Sequence, residues 1–73
     1  MDINDNTFVC ELSKVKQNYI RKKVTKHYKG LGLNELQVYR IVKSAMENRL
    51  WCCLWDDENN REIIDINRLM DIF

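Results

Sequence analysis

Leu50-Trp51-Cys52-Cys53-Leu54-Trp55-Asp56-Asp57-Glu58-Asn59-Asn60-Arg61-Glu62-Ile63-Ile64-Asp65 is the stretch on which the fold class turns. Read at period two, Trp51, Cys53 and Trp55 face one way and Cys52 and Leu54 the other. Residues 56–60 then supply a polar turn, and Arg61 to Asp65 return. The reading is a β-hairpin, which makes the chain α+β rather than a bundle of helices. Two tryptophans on one face of so small a sheet are expected in the core or in a contact between copies. Each covers about 150–250 Å², and a short chain needs that area. An exposed tryptophan here would instead mark an interface, so Trp51 and Trp55 are candidate partner-binding residues.

Immediately upstream lies the clearest helix. Asn34 is placed to cap it and Gln37 occupies the capping-box position three residues on. Val38, Ile41, Val42 and Ala45 repeat at helical spacing, with Tyr39 and Met46 widening the stripe. The opposite face carries Gln37, Arg40, Lys43, Ser44 and Glu47, and the helix is expected to end near Arg49. Downstream of the hairpin, Asp65 or Asn67 starts a last short helix, because Ile66, Leu69, Met70 and Phe73 fall at i, i+3, i+4 and i+7. Phe73 must dock, on its own domain or on another chain, which makes Leu69, Met70 and Phe73 further candidate partner-binding residues.

Further upstream, Thr7 to Leu12 alternate so that Phe8, Cys10 and Leu12 share one face, a short strand signal, although a helix could also start there. Ser13 is the next N-cap and Gly30 supplies a left-handed stop seventeen residues later, so a long helix is expected between them. Its apolar residues fall in two stripes, Val15 with Tyr19 and Ile20 with Val24, His27 and Tyr28. Lys16 and Lys23 lie between the stripes. Either their stems rest on apolar surface, or the helix bends or ends near Arg21 to Val24. The order strand, helix, helix, β-hairpin, short helix over residues 7 to 65 resembles that of a winged-helix domain without its first helix. That resemblance implies that the second helix enters the major groove with Gln37, Arg40, Lys43 and Ser44 outward, flanked by the hairpin.

Charge is segregated along the chain. From Ser13 to Asn34 there are seven lysines and arginines and no acid, while eight of the eleven acids follow Asn34 and the formal net charge is only +1. A local positive field can hold a phosphate backbone or an acidic protein surface whatever the total, because charges beyond a Debye length are screened. On an ideal helix Lys14, Asn18, Arg21, Lys22, Thr25 and Lys29 share the polar arc, and they are the first candidate nucleic-acid contacts. Arg40 and Lys43 join them from the second helix. The plainer alternative is a solvated helix whose charges pair with the acidic half of the same chain. Acidic Asp56 to Glu58 at the hairpin tip would be repelled by DNA, which counts against the hairpin as a minor-groove reader.

Seventy-three residues make one domain, residues 1–6 being expected as a loose N-terminus, and a chain of this size buries only about 60% of its unfolded surface. A substrate pocket of about 300 Å³ or more would consume much of such a core, so a binding module is expected and an enzyme is not. Neither a paired acid-base set nor a phosphate loop through Gly30 and Gly32 can be written. No cofactor or metal is expected. His27 stands alone, no CxxC exists, and the acids of the hairpin turn lack the twelve-residue frame and glycine of a calcium loop. Three cysteines cannot all pair and are read as free thiols. The acidic, polar start is unlike a secretory signal, and the longest apolar run, Leu50 to Trp55, is far short of the roughly 20 residues of a membrane span. A cytoplasmic protein is therefore expected, with no membrane partner.

Two functions fit. The first is a small nucleic-acid-binding protein, a DNA-binding regulator or accessory factor ahead of an RNA-binding one, with the basic helix on the phosphate backbone. The alternative is a protein-interaction module, an inhibitor or adaptor docking on a larger partner. Homodimerisation is compatible with both.

Overall fold

The computed structural model describes residues 3–72. Phe73, which was expected to dock, lies outside them. The fold is α+β: helices α1 (Lys14–Gly30), α2 (Glu35–Met46), α3 (Trp51–Leu54) and α4 (Ile66–Met70), with a two-stranded antiparallel hairpin of β1 (Trp55–Asp56) and β2 (Arg61–Glu62).

Helix α1 begins where its cap predicts. The Ser13 hydroxyl accepts from the Lys16 amide at 3.3 Å, satisfying one of the amides that the first turn leaves without a carbonyl partner. The helix runs unbroken to Gly30, so of the two ways to accommodate Lys16 and Lys23 the molecule uses the first. Both are half-buried, and the Lys23 ammonium lies 5.5 Å from the centre of the Tyr19 ring. The left-handed residue that ends α1 is Gly32, with φ +88°, and not Gly30, which is the last helical residue. The Leu31 and Gly32 amides return to the carbonyls of Tyr28 and Lys29, and a glycine takes that φ without a Cβ clash. Four residues, 31–34, therefore join α1 to α2 as an αα-hairpin.

In α2 the capping box is complete. Asn34 Oδ1 accepts from the Gln37 amide at 2.9 Å, and the Asn34 amide donates to Gln37 Oε1 at 3.1 Å. The helix closes at Met46, three residues short of the expected Arg49. Val38, Val42 and Ala45 are buried against Ile20 and Val24 of α1, Val9, Leu12, Leu50, Cys53, Ile64 and Leu69 in one cluster. Tyr39 does not widen that stripe: it is 62% exposed.

The segment Trp51–Leu54 is a helical turn and not the first arm of a hairpin. Helical spacing buries Leu50 and Cys53 completely and half-buries Leu54, whereas a strand would have buried Trp51, Cys53 and Trp55 together. Both tryptophans are instead on the surface, 53% and 46% exposed, so the core reading is overturned for each. What remains of the hairpin is short: Trp55 pairs with Glu62 and Asp56 with Arg61. Asn60 turns the chain at φ 52°, a conformation asparagine tolerates better than most residues.

The expected strand at Thr7 to Leu12 is also corrected. Val9–Glu11 form a 3-10 turn that buries Thr7, Val9 and Leu12 and leaves Phe8 and Cys10 exposed, which splits the face that alternation gave to Phe8, Cys10 and Leu12. Only Phe8 makes a bridge, antiparallel to Arg49, whose guanidinium sits 5.0 Å from the Phe8 ring centre. The preceding residues are tied down as well. The Leu50 amide donates to the Thr7 carbonyl at 2.7 Å and the Trp51 amide to the Asp5 carbonyl at 2.9 Å, while Thr7 Oγ1 accepts from the Asn4 amide. At the other end α4 starts on Asp65, whose carboxylate accepts from the Asn67 amide at 2.9 Å. Leu69 is fully buried and Met70 exposed.

Candidate nucleic-acid interface

The structure divides the eight basic and polar candidates among three surfaces. Lys14, Asn18 and Lys22 are exposed on the outer face of α1, and Lys26, which the polar arc omitted, is exposed beside them. It falls one turn after Lys22, so the basic run itself carried the signal. Arg21, Thr25 and Lys29 instead lie along the other edge of that arc and, with Lys43, line a groove of about 580 Å³ between α1 and α2. Arg40 points to the far side of α2, beside Ile41, Ser44 and Cys52 in a shallower depression. Arg40 and Lys43 therefore do not present one face, and the outward set that the winged-helix resemblance implied for α2 is split.

Among the described residues no carboxylate neutralises the α1 cations. Among the described residues the one ion pair within 4.0 Å joins His27 to Asp56, so none of the six lysines or Arg21 on α1 is held by a carboxylate. The helix contains no acid that could supply an i,i+4 partner, and Lys22 and Lys26 sit at a spacing where like charges repel by a few tenths of a kcal/mol. Lys14 and Lys16 also stand in the first turn, where the positive end of the helix dipole disfavours cations. An approaching polyanion relieves both effects.

One buried polar contact holds this helix against the hairpin. His27 Nε2 donates to Asp56 Oδ2 at 2.7 Å, with the two side chains 12% and 4% exposed. The Asn59 side-chain amide donates to the same oxygen at 2.8 Å, and the Asn59 backbone amide donates to the other. The hydrogen bond from His27, then those from Asn59, hold the Asp56 carboxyl below its ordinary value. Asp56 is thus a buried anchor and not a solvated turn acid, unlike Asp57 and Glu58, which are exposed. His27 is a strut between α1 and the hairpin, a role that its position in the helix alone did not disclose. Burial, and after it the charges of Asp56 and Glu58, raise the neighbouring Tyr28 hydroxyl.

All three cysteines are free. Burial pushes the Cys53 thiol up to about 12, and its Sγ lies 3.5 Å from the Ala45 carbonyl. A thiol in that state is a core residue and a poor nucleophile. Among the described residues no three His, Cys, Asp or Glu side chains gather as metal ligands, and no helix is long and apolar enough to cross a membrane.

No protein-family model, characterised protein or solved structure matches the chain.

Of the partner-binding candidates, Trp51, Trp55 and Met70 are exposed, while Leu69 is core and cannot meet a partner without unfolding α4. The exposure of Trp51 was not visible from alternation; it follows from the helical turn.

Proposed function

We propose that the protein is a nucleic-acid-binding module that grips the phosphate backbone with the outer face of α1, through Lys14, Lys22 and Lys26 with Asn18 as a neutral donor. The observation that carries this reading is an acid-free helix whose cations have no carboxylate partner among the described residues. Lysines on such a face neutralise phosphates and release condensed counterions, a gain that does not depend on base sequence. The plainer alternative, in which these charges pair with the acidic half of the fold, finds no ion pair among the described residues to support it. DNA is the first ligand to test, and the reading is of a binding protein and not an enzyme.

The exposed tryptophans favour a second reading, a protein-interaction module. Aromatic side chains of this size on a surface commonly anchor partners.

The experiment is a fluorescence-anisotropy titration of labelled duplex and single-stranded DNA at low salt, with wild-type protein and with Lys14, Lys22 and Lys26 all changed to glutamine. The proposal expects binding by the wild type and its loss in a variant that keeps the wild-type circular-dichroism spectrum. Equal affinity of the two proteins, or no binding by the wild type, removes the reading and turns attention to the tryptophan surface.

A further inference from the structure

The groove between α1 and α2 has no part in the grip just described. Its volume of about 580 Å³ falls within the roughly 300–1,000 Å³ of small-molecule sites, and because it opens on the surface it takes nothing from the core. Val38 and Val42 are buried at its floor, Met46 is half-buried, and Tyr39 is 62% exposed beside them. The floor is apolar and carries one exposed aromatic ring.

The antiparallel helices set the order of charge along the rim. Arg21 stands nine residues before Gly30 at the end of α1, and Lys43 eight residues after Glu35 at the start of α2. The two are therefore level across the groove to within about one residue's rise of 1.5 Å. Neighbouring helix axes lie about 8–10 Å apart, a gap that an arginine and a lysine reaching inward can close around a single anion. Thr25 adds a hydroxyl to the same lining one turn along α1. Among the described residues neither cation is within 4.0 Å of a carboxylate, so their mutual repulsion is unrelieved. At the end by the connecting turn, Lys29 and Glu35 offset one another. At the other end Glu47 stands one turn beyond Lys43, roughly 18 Å from Glu35 by helical rise.

This order selects the ligand. A polyanion laid along the groove meets a carboxylate at each end, and a cation meets Arg21 and Lys43 in the middle. A small anion held between those two side chains avoids both acids, and an apolar body attached to it covers Tyr39, Val38 and Val42. We infer that the groove binds a small organic anion with a flat apolar body, its oxygens held by Arg21, Lys43 and the Thr25 hydroxyl and its body resting on Tyr39 and Val42. The guanidinium fork of Arg21 suits a carboxylate, which it can meet with two parallel hydrogen bonds. The site shares no residue with Lys14, Lys22 and Lys26 and its test contains no nucleic acid, so the two readings fail separately.

Two-dimensional amide NMR of the full chain decides it, with indole-3-acetate as the probe. At ordinary ligand efficiency a probe of about thirteen non-hydrogen atoms binds with a Kd of about 1 mM. Saturable shifts should centre on the amides of Thr25, Tyr39, Val42 and Lys43. Indole-3-acetamide, which lacks the charge, and sodium acetate, which lacks the ring, should each bind at least about 10-fold more weakly. Arg21→Gln with Lys43→Gln changes two exposed side chains, so it should keep the wild-type circular-dichroism spectrum and lose at least about 10-fold in affinity for indole-3-acetate. No saturable shift with indole-3-acetate up to about 10 mM overturns the inference, that being some ten times the expected Kd. Shifts centred on Trp51 and Trp55 overturn it too. Equal binding of the amide, or by the double variant, removes the anion contact, and equal binding of acetate removes the apolar floor; either result overturns the site as described.

Discussion

Changing Lys14, Lys22 and Lys26 together to glutamine removes the outer α1 charge while leaving the groove rim untouched, and the salt dependence of DNA binding measures what has been lost. Each phosphate neutralised on duplex DNA contributes about −0.9 to the slope of log affinity against log salt. Three lysines therefore give a slope of about −2.7, and a fourfold rise in salt weakens binding about 40-fold. Had Arg21, Lys29 and Lys43 also bound phosphate, six contacts would give about −5.4, and the same rise in salt would cost about 2,000-fold. The split of the cations between an outer face and a groove lined by Glu35 and Glu47 favours the smaller number. The assay is anisotropy of a labelled duplex over a salt series, run on the wild type, on the outer-face triple variant and on an Arg21→Gln/Lys29→Gln/Lys43→Gln variant. The wild-type slope should be near −2.7 per bound chain, nearly vanish in the first variant and change little in the second. A slope that persists in the outer-face variant and collapses in the rim variant would refute the assignment of the phosphate to Lys14, Lys22 and Lys26. All of these side chains are at least partly solvated, so a lost circular-dichroism spectrum is not expected in either variant.

Three predictions concern the fold that carries this face. Leu50→Ala empties a site with no exposure and should cost about 2–5 kcal/mol, a large part of the roughly 4–11 kcal/mol that a chain of this length holds in total. Trp51→Ala removes a half-exposed side chain and leaves no closed cavity, so it should cost less by urea denaturation; the opposite order would argue for a tryptophan core. Stability should also depend on acid through Asp56. Its carboxyl is held below the ordinary 3.8 by His27 and Asn59, so the fold binds the ionised form more tightly than the unfolded chain does. That contribution is complete above pH 3.8 and is lost as pH falls through the lower folded value. Thermal melts of the wild type should show this limb, and Asp56→Asn should flatten it; an unchanged acid limb in the variant would dissociate it from the anchor. Finally, a thiol reagent should modify exposed Cys10 first and half-buried Cys52 later. Cys53 should react only on unfolding, because burial holds its thiol near 12. Fast reaction of all three in native buffer would contradict the packing around α3.

The parts of this fold that sequence disclosed are those whose signals are local. Ser13, the Asn34–Gln37 box and Asp65 each cap a helix through their own or a neighbouring amide, so a few residues contain the whole interaction. The acid-free composition of α1 is equally local, and it points to the basic face, including Lys26. The stretch from Leu50 to Trp55 failed for the opposite reason. Six apolar residues satisfy a period of two and a helical turn equally well, and the tie is broken by groups more than forty positions away. The carbonyls of Asp5 and Thr7 take the amides of Trp51 and Leu50, which holds Leu50 inward, and Cys53 follows it into the core at helical spacing. Trp51 and Trp55 are thereby turned out, and the surface they form could not have been read from alternation. The groove has the same origin. Arg21 and Lys29 belonged to the polar arc of one helix and Lys43 and Glu47 to that of another, and only the four-residue connection through Gly32 sets them, with Glu35, around one apolar floor. Composition allowed that the acidic half of the chain neutralises the basic half. Among the described residues none of these rim charges lies within 4.0 Å of an opposite charge, so the groove sets a second, mixed-charge surface apart from the outer face of α1 and does not neutralise that face.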